Sequence, residues 1–443
     1  MTSTTAPDHN ERYGWYVVFV LCVCGVVAYI DRQIINLLVT DIKLDLSVSD
    51  TEISLLQGFA FAVFYALVAI PLGRIADSRN RRKLITVGIV AWTAAAIACG
   101  LAESYAQLFV ARMMVGVGEA VLTPAGFSLL ADLFRPQRLA RPVSVFTASS
   151  FFGAGIALMV GGLIVDHLSA AGGVVLPIVG ERTVWQGAFI LGALPGIPVA
   201  LWFFLTVREP PRRAADIVRQ DTEEYAQGFV QAIRYVLANR RLFFAVFIGL
   251  SLMAAAQFAL GAWIPAFFIR VHGWTPGEIG AVQGLLFLVG GSLGVVTGGW
   301  VTDLLRARGF DDANLRTAVF AALLAVPFLV AVPLVSDPKL AVICLAPGMY
   351  FGTVPFGAGA AVIPTVSPPM FRAQLVAIYL LVANLVGQAG GPWGVALITD
   401  YVFGDDKAVG RSLLIVVPVL LLMGSTIAAS GWAPLAEKMR VKR

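Results

Sequence analysis

Long apolar stretches alternate with short polar breaks along the whole chain, and this pattern predicts helices that cross a membrane. A spanning helix needs roughly 20 apolar residues, and twelve stretches of about that length follow one another. The predicted spans are 15–38, 52–72, 84–102, 107–130, 142–165, 184–206, 241–269, 277–300, 316–335, 339–363, 375–399 and 411–433.

The longest polar break, residues 207–240, divides these spans six and six. We therefore predict a first six-helix bundle at 1–206, a cytoplasmic linker at 207–240 and a second six-helix bundle at 241–443. Part of the linker, residues 225–237, could form an amphipathic helix on the membrane surface. The predicted fold class is an all-α integral membrane protein built from two bundles related by a pseudo-twofold axis.

Composition and charge placement support the membrane interpretation. Hydrophobic residues make up 58% of the chain and charged residues 13%, which excludes a water-soluble globule, a disordered chain and a nucleic-acid binder. With the amino terminus inside, 24 of the 32 lysines and arginines fall in inner segments and six in outer loops. Positive charge concentrates on the cytoplasmic side of membrane proteins, so we expect both termini in the cytoplasm.

The two halves of the chain repeat each other. Several positions of the first half recur 226 residues later with the same residue. Parallel repeats of this kind place a substrate site between the halves, near the membrane midplane. The recurring pairs include Glu52 with Glu278, Ile53 with Ile279, Gln57 with Gln283, Gly58 with Gly284, Gly73 with Gly299 and Asp77 with Asp303.

A glycine, an aspartate and an arginine cluster follow the second predicted span. This segment resembles the loop motif of the major facilitator superfamily, and the resemblance implies a twelve-helix transporter with a gate on its cytoplasmic side. Asn80 stands where the family has glycine, and we expect it to accept the left-handed turn conformation. The alternative is a loop whose positive charge only fixes the orientation of the helices in the membrane. That alternative would explain the arginines but not the glycine and the aspartate. The predicted gate residues are Gly73, Asp77, Arg81, Arg82 and Asp303.

Four ionisable residues lie within predicted spans of the first half: Asp31, Arg32, Arg112 and Glu119. Charges in the bilayer are costly and usually functional. From the helical rise and the lean of side chains toward the amino terminus, we predict two cross-helix pairs, Asp31 with Arg112 and Arg32 with Glu119. Breaking such a pair would let the carboxylate take up a proton, whereas a static pair would only fix helix packing.

The residues around these charges are similar to the Spinster branch of the superfamily. The similar segments are Tyr29 to Gln33, the Leu55 to Phe59 start of span 2, and Gly116 to Ala120. The resemblance implies a proton gradient as driving force and a substrate of the sphingosine 1-phosphate or lysophospholipid type. It also implies that Asp31, Arg32, Arg112 and Glu119 are coupling and polar-binding positions.

Polar and aromatic residues at mid-depth suggest the lining of a substrate cavity. A charged end in the first half and an apolar, aromatic remainder suit an amphipathic substrate. Packing against helices or lipid is the alternative for each aromatic residue. The predicted substrate-binding residues are Arg32, Glu119, Tyr65, Phe127, Ser149, Phe152, Gln257, Tyr350, Tyr379, Asn384 and Gln388.

These observations predict a proton-coupled secondary transporter that moves an amphipathic, lipid-like substrate by alternating access. A transporter of small organic anions or drugs is the alternative. An enzyme is not expected, because the spans hold no nucleophile with a base partner and no metal-ligand set. We expect no metal and no cofactor besides the proton gradient, a monomer in contact with membrane lipids, and a location in a bacterial inner membrane.

Overall fold

The prediction of twelve membrane-spanning helices is confirmed. The computed structural model describes residues 11–135, 138–177, 180–211, 231–368 and 372–441, and within these ranges twelve helices are long and apolar enough to cross a membrane. Of the predicted surface helix at 225–237, residues 231–237 are helical, and the remainder lies outside the described residues.

The helices are numbered here as spans 1 to 12, several of which consist of consecutive segments. Spans 1 to 6 are Glu11–Leu37; Asp50–Ser54, Leu55–Phe59 and Ala60–Ser78; Arg81–Gly100; Tyr105–Glu119 and Leu122–Leu133; Ala140–Ala171; Val184–Ala193 and Gly196–Thr206. Spans 7 to 12 are Arg240–His272; Pro276–Leu285, Leu286–Gly291 and Ser292–Ala307; Ala313–Leu334; Pro338–Ala360 and Val362–Val366; Arg372–Val382, Ala383–Ala389, Gly390–Leu397 and Ile398–Phe403; Val409–Ala429.

Shorter helices and strands lie at the ends of these spans. A helix at Val39–Leu46 joins spans 1 and 2, and Trp432–Val441 follows span 12. Two short strands, Val174–Leu176 and Gly180–Arg182, pair antiparallel between spans 5 and 6. A single 3₁₀ turn, Asp406–Ala408, precedes span 12.

Twelve crossings bring the chain back to the side on which it started. The described chain therefore begins and ends on one face of the bundle, which we call the terminal face. The loops between spans 1 and 2, 3 and 4, 5 and 6, 7 and 8, 9 and 10, and 11 and 12 lie on the opposite face, which we call the distal face.

Polar residues at helix starts explain where several spans begin. Ser49 and Glu52 form a reciprocal capping box at the start of span 2, and Thr275 and Glu278 form the equivalent box at the start of span 8. The two boxes are 226 positions apart, as the repeat predicts. The expectation for Asn80 is wrong: its backbone is extended, with φ −69°, and its side chain accepts from the Lys83 N–H to cap span 3.

Close backbone contacts join the two halves. A Cβ at Gly58 in span 2 would lie 2.5 Å from the Gln388 carbonyl oxygen in span 11. Gly155 in span 5 and Gly284 in span 8 meet in the same way, each with 2.5 Å from its Cβ position to the other's carbonyl oxygen. Small residues allow such approaches between membrane helices, so these glycines set how closely the halves can pack.

Spans 2, 8 and 11 each contain a π-helical segment near this interface, at Leu55–Phe59, Leu286–Gly291 and Ala383–Ala389. Short π-helical turns inside α-helices occur frequently at functional sites. Gly58 and its neighbour Ala389 both belong to such segments, so two widened turns face each other across the contact between the halves.

Candidate functional site

The predicted contact between Arg32 in span 1 and Glu119 in span 4 is present. The Arg32 Nε donates to Glu119 Oε2 at 2.5 Å. The Glu119 side chain is 1% exposed and that of Arg32 is 20% exposed, so water or a ligand reaches this pair mainly through the cation. The second carboxylate oxygen of Glu119 has no hydrogen-bond partner among the described residues.

Three aromatic rings surround the Arg32 guanidinium. Its central carbon lies 4.3 Å from the ring centroid of Phe61, 5.0 Å from that of Tyr29 and 5.2 Å from that of Tyr65. Ring faces attract cations, by about 0.5–1 kcal/mol at exposed sites and more where water is excluded. The rings therefore hold the cation in place independently of Glu119.

The predicted side-chain pair between Asp31 and Arg112 is wrong. Arg112 Nη1 donates to the backbone carbonyl of Asp31 at 2.7 Å, and its Nε points to the Leu56 carbonyl at 3.5 Å. The side chains of Asp31 and Arg112 are both buried. Within the described residues neither carboxylate oxygen of Asp31 accepts a hydrogen bond. Arg112 thus joins spans 1 and 2 through their backbones, and the buried Asp31 carboxylate accepts no hydrogen bond from the described residues.

A cavity of about 140 Å³ adjoins the Arg32–Glu119 pair. Among the described residues its lining belongs to the first half, and besides Arg32 and Glu119 it includes three predicted residues, Tyr65, Phe127 and Ser149. The Tyr65 hydroxyl lies 3.3 Å from the Thr123 hydroxyl. Hydroxyl-bearing side chains contribute much of the wall, namely Tyr29, Tyr65, Thr123, Thr147, Ser149 and Ser150.

Phe152 lies in a different place from the one predicted. It lines a separate, almost wholly apolar groove of about 370 Å³ between spans 1 and 5. Trp15, Phe19 and Cys22 line the same groove. Ser149 borders both the groove and the cavity at Arg32, so only the thickness of the span 1–span 5 contact separates them.

None of the predicted second-half residues lines the cavity at Arg32. Four of the five contact residues of their own half instead, and Gln388 contacts the first half through its backbone. Gln257 packs against Gly352 and lies 3.5 Å from the Met349 carbonyl, Tyr350 donates to Thr297, Asn384 donates to the Leu380 carbonyl, Tyr379 packs on Phe247, and the Gln388 backbone contacts Gly58.

Arg81 is the best-anchored of the predicted gate residues. It is 1% exposed, with Nη1 2.5 Å from Asp132 and Nε 2.7 Å from Glu209. Arg82 donates to the Phe204 carbonyl, and its backbone N–H donates to Glu209. These arginines join spans 3, 4 and 6 within the first half.

The other predicted gate residues have fewer contacts. Gly73 approaches Pro124 of span 4, 3.9 Å from its Cβ position to the proline Cβ. Asp303 is exposed on span 8. The side chain of Asp77 lies outside what the structure describes.

Sequence reasoning missed two sets of residues. The rings of Phe61 and Tyr29 complete the surroundings of Arg32, and the helical spacings Tyr29–Arg32 and Phe61–Tyr65 were a signal for them. On the distal face, the Asp50 carboxylate accepts two hydrogen bonds from Arg270, at 2.7 and 2.9 Å. This pair joins span 2 to span 7 and therefore one half to the other.

Comparisons with known proteins agree with this architecture. The Major Facilitator Superfamily model matches residues 21–392. An MFS-type efflux pump of Mycolicibacterium smegmatis is 29% identical over 424 residues, covering 94% of this chain and 93% of the pump. Human protein spinster homolog 1 is 26% identical over 402 residues, covering 87% of this chain and 72% of its own.

A solved structure shares the fold. The crystal structure of a bacterial homolog of the human lysosomal transporter Spinster, in an inward-facing and unoccupied conformation, matches with a TM-score of 0.78 at 24% identity. The match covers 97% of this chain and 98% of the other. With twelve apolar spans, a matching family model and Spinster proteins among its relatives, this chain belongs to the major facilitator superfamily and is an integral membrane transporter, not an enzyme.

Proposed function

We propose that this protein is a proton-coupled secondary transporter of amphipathic, lipid-like molecules with an anionic headgroup, of the lysophospholipid or sphingosine 1-phosphate type. The observation that carries the proposal is the Arg32–Glu119 pair, which lies beside a cavity and exposes its cation more than its carboxylate. Alternating access between the two halves would move the substrate across the membrane.

The proposed coupling follows from competition for Arg32. An anionic headgroup that enters the cavity meets the guanidinium first, because Glu119 is 1% exposed. A headgroup bound to Arg32 weakens the contact with Glu119, and a buried carboxylate that loses its cation is stabilised by taking up a proton. Binding of the headgroup and of the proton would then favour each other.

Asp31 and Arg112 have a supporting role in this proposal. The Asp31 carboxylate is buried and has no hydrogen-bond partner among the described residues, so it is a second candidate to carry a proton. Arg112 holds the Asp31 backbone at 2.7 Å and would keep that carboxylate at a fixed depth while the halves move.

The lipid-like substrate is what the resemblance to the Spinster branch implies, and Spinster proteins are among the relatives of this chain. The alternative is a transporter of small organic anions or drugs, and two observations favour it. One relative is named an efflux pump. In addition, the cavity at Arg32 measures only about 140 Å³ and its described lining belongs to one half, which suits a small anion.

We further propose a placement in a bacterial inner membrane, as a monomer with both termini in the cytoplasm. The 24 inner and six outer lysines and arginines support that orientation. The proposed units remain 1–206, 207–240 and 241–443. The proton gradient is the proposed driving force, with no further cofactor.

Purified protein in liposomes that contain a pH-sensitive dye tests the proposal. We expect lysophospholipid or sphingosine 1-phosphate to elicit proton flux in the wild type, and Glu119→Gln to abolish it. Glu103→Gln is the matched control, because Glu103 is an exposed carboxylate whose Arg182 contact measures 3.8 Å, and it should transport normally.

Three other results would count against parts of the proposal. Movement of lipid without proton flux would refute coupling and leave the buried charges as binding or gate elements. Proton flux with small organic anions but with neither lipid would favour the alternative substrate. Equal loss of flux in both glutamine variants would remove the special role of Glu119.

A further inference from the structure

On the distal face, each half extends an aspartate onto the start of a helix in the other half. Asp400, near the end of span 11, accepts from the Thr51 N–H and the Thr51 hydroxyl, both at 2.6 Å. Asp166, near the end of span 5, accepts from the Gly277 N–H at 2.9 Å and the Thr275 hydroxyl at 2.8 Å. Span 11 thus reaches span 2, and span 5 reaches span 8.

The capping boxes explain why these N–H groups are available. The first four N–H groups of a helix have no partner within the helix. In span 2 the box uses the Ser49 and Glu52 N–H groups and leaves those of Asp50 and Thr51, which both point at Asp400, at 3.3 and 2.6 Å. In span 8 the first position is Pro276, which has no N–H, so Gly277 alone remains for Asp166.

The two contacts are equivalent by the internal repeat. Asp400 follows Asp166 by 234 positions, and Thr275 follows Ser49 by 226. Each aspartate also brings a negative charge to a helix amino terminus, where such charge is stabilised. We propose that Asp166 and Asp400 form a pair of reciprocal latches that hold the distal face closed and release it when the transporter opens on that side.

The geometry suits a contact that is made and broken repeatedly. Both aspartates are only half-buried, so water can hydrate the carboxylates and the freed N–H groups once the halves part. The nearby Asp50–Arg270 pair is different, because its side chains are 0% and 6% exposed, and separating it uncovers two buried charges. The latches therefore shift the equilibrium toward the closed form of the distal face and still allow that face to open.

The glycine at position 277 is a separate observation in favour of the latch. A Cβ at this position would collide with the Asp166 carboxylate. The backbones of spans 5 and 8 also approach each other closely here. A Cβ at Gly162 of span 5 would lie 2.7 Å from the Pro276 carbonyl oxygen. Glycine on both sides of the contact lets the carboxylate reach the helix start.

Distance measurements between spin labels test the latch without any substrate, so the result does not depend on the proposed function. Leu44 in the first half and Leu340 in the second are exposed positions on the distal face. Each would be replaced by cysteine and spin-labelled. The partly exposed Cys22 and Cys344 would be replaced by serine so that they take up no label. The variants are Asp166→Ala, Asp400→Ala and the double variant. Asp166→Asn and Asp400→Asn keep the side-chain shape and serve if an alanine variant does not fold.

We expect each alanine variant to raise the open-to-closed ratio about tenfold, a change typical of losing a helix cap. The two sites are separate, so the double variant should raise the ratio about a hundredfold. The matched control is Ser104→Ala, which removes the cap of span 4 within the first half, away from either labelled helix, and should leave the label distances unchanged. Unchanged distances in the folded double variant, or an equal change in Ser104→Ala, would overturn the proposal.

Discussion

Substituting the two partners of the Arg32–Glu119 pair should lower the free energy of unfolding by different amounts. Arg32→Gln leaves the Glu119 carboxylate, 1% exposed, without its cation, and breaking a buried pair in this way costs about 3–5 kcal/mol. Glu119→Gln costs less, about 1–2 kcal/mol, because a glutamine oxygen can still accept from Arg32 while three rings and water stabilise the cation. We therefore expect Arg32→Gln to unfold at the lower temperature.

The double variant sharpens this prediction. Replacing both residues by glutamine removes the stranded carboxylate, so the double variant should be more stable than Arg32→Gln alone, by about 2 kcal/mol. Thermal unfolding in detergent can be followed with a thiol-reactive dye, since Cys24 and Cys99 are 0% exposed in the folded protein and become reactive when it unfolds. A double variant that is the least stable of the three, or Glu119→Gln less stable than Arg32→Gln, would refute the reasoning.

Two further substitutions test other contacts. Arg81→Gln should lower the free energy of unfolding, by up to about 3–5 kcal/mol, because it removes the buried guanidinium shared by Asp132 and Glu209. Lys83→Gln, at an exposed neighbouring position, should change the unfolding temperature little. Gly58→Ala should favour opening of the distal face, since its Cβ would lie 2.5 Å from a carbonyl oxygen of span 11. Gly299→Ala has no atom within 4 Å of its Cβ and should leave the distal label distances as they are; a change there equal to that of Gly58→Ala would contradict the argument.

The parts of the fold that depend on composition and local sequence were predictable. Apolar length defines the spans, and the Ser49–Glu52 box defines a helix start. The Arg32–Glu119 contact followed from depth and side-chain lean, because the two residues approach each other from opposite directions along neighbouring helices. A local rule was sufficient in each of these cases.

The remaining contacts depend on how helices are rotated and on which partner is nearest. Similar depths in the membrane predicted a side-chain pair between Asp31 and Arg112. In the structure the Arg112 guanidinium donates to the Asp31 backbone carbonyl instead. Gln257 and Asn384 likewise turn toward backbone carbonyls of their own half. Asp166 and Asp400 lie at span ends, where an aspartate is unremarkable until the helix start opposite it is known.

The halves share their capping boxes and close glycine contacts, whereas among the described residues the charged side chains that line the cavity, Arg32 and Glu119, belong to the first half. The contacts between the halves are thus present in two copies, and the charged pair at the cavity in one. The second half is therefore free to diverge at its polar and aromatic positions, such as Gln257 and Tyr350, without disturbing Arg32 and Glu119. Substitutions at those second-half positions are therefore expected to leave the Arg32–Glu119 contact in place.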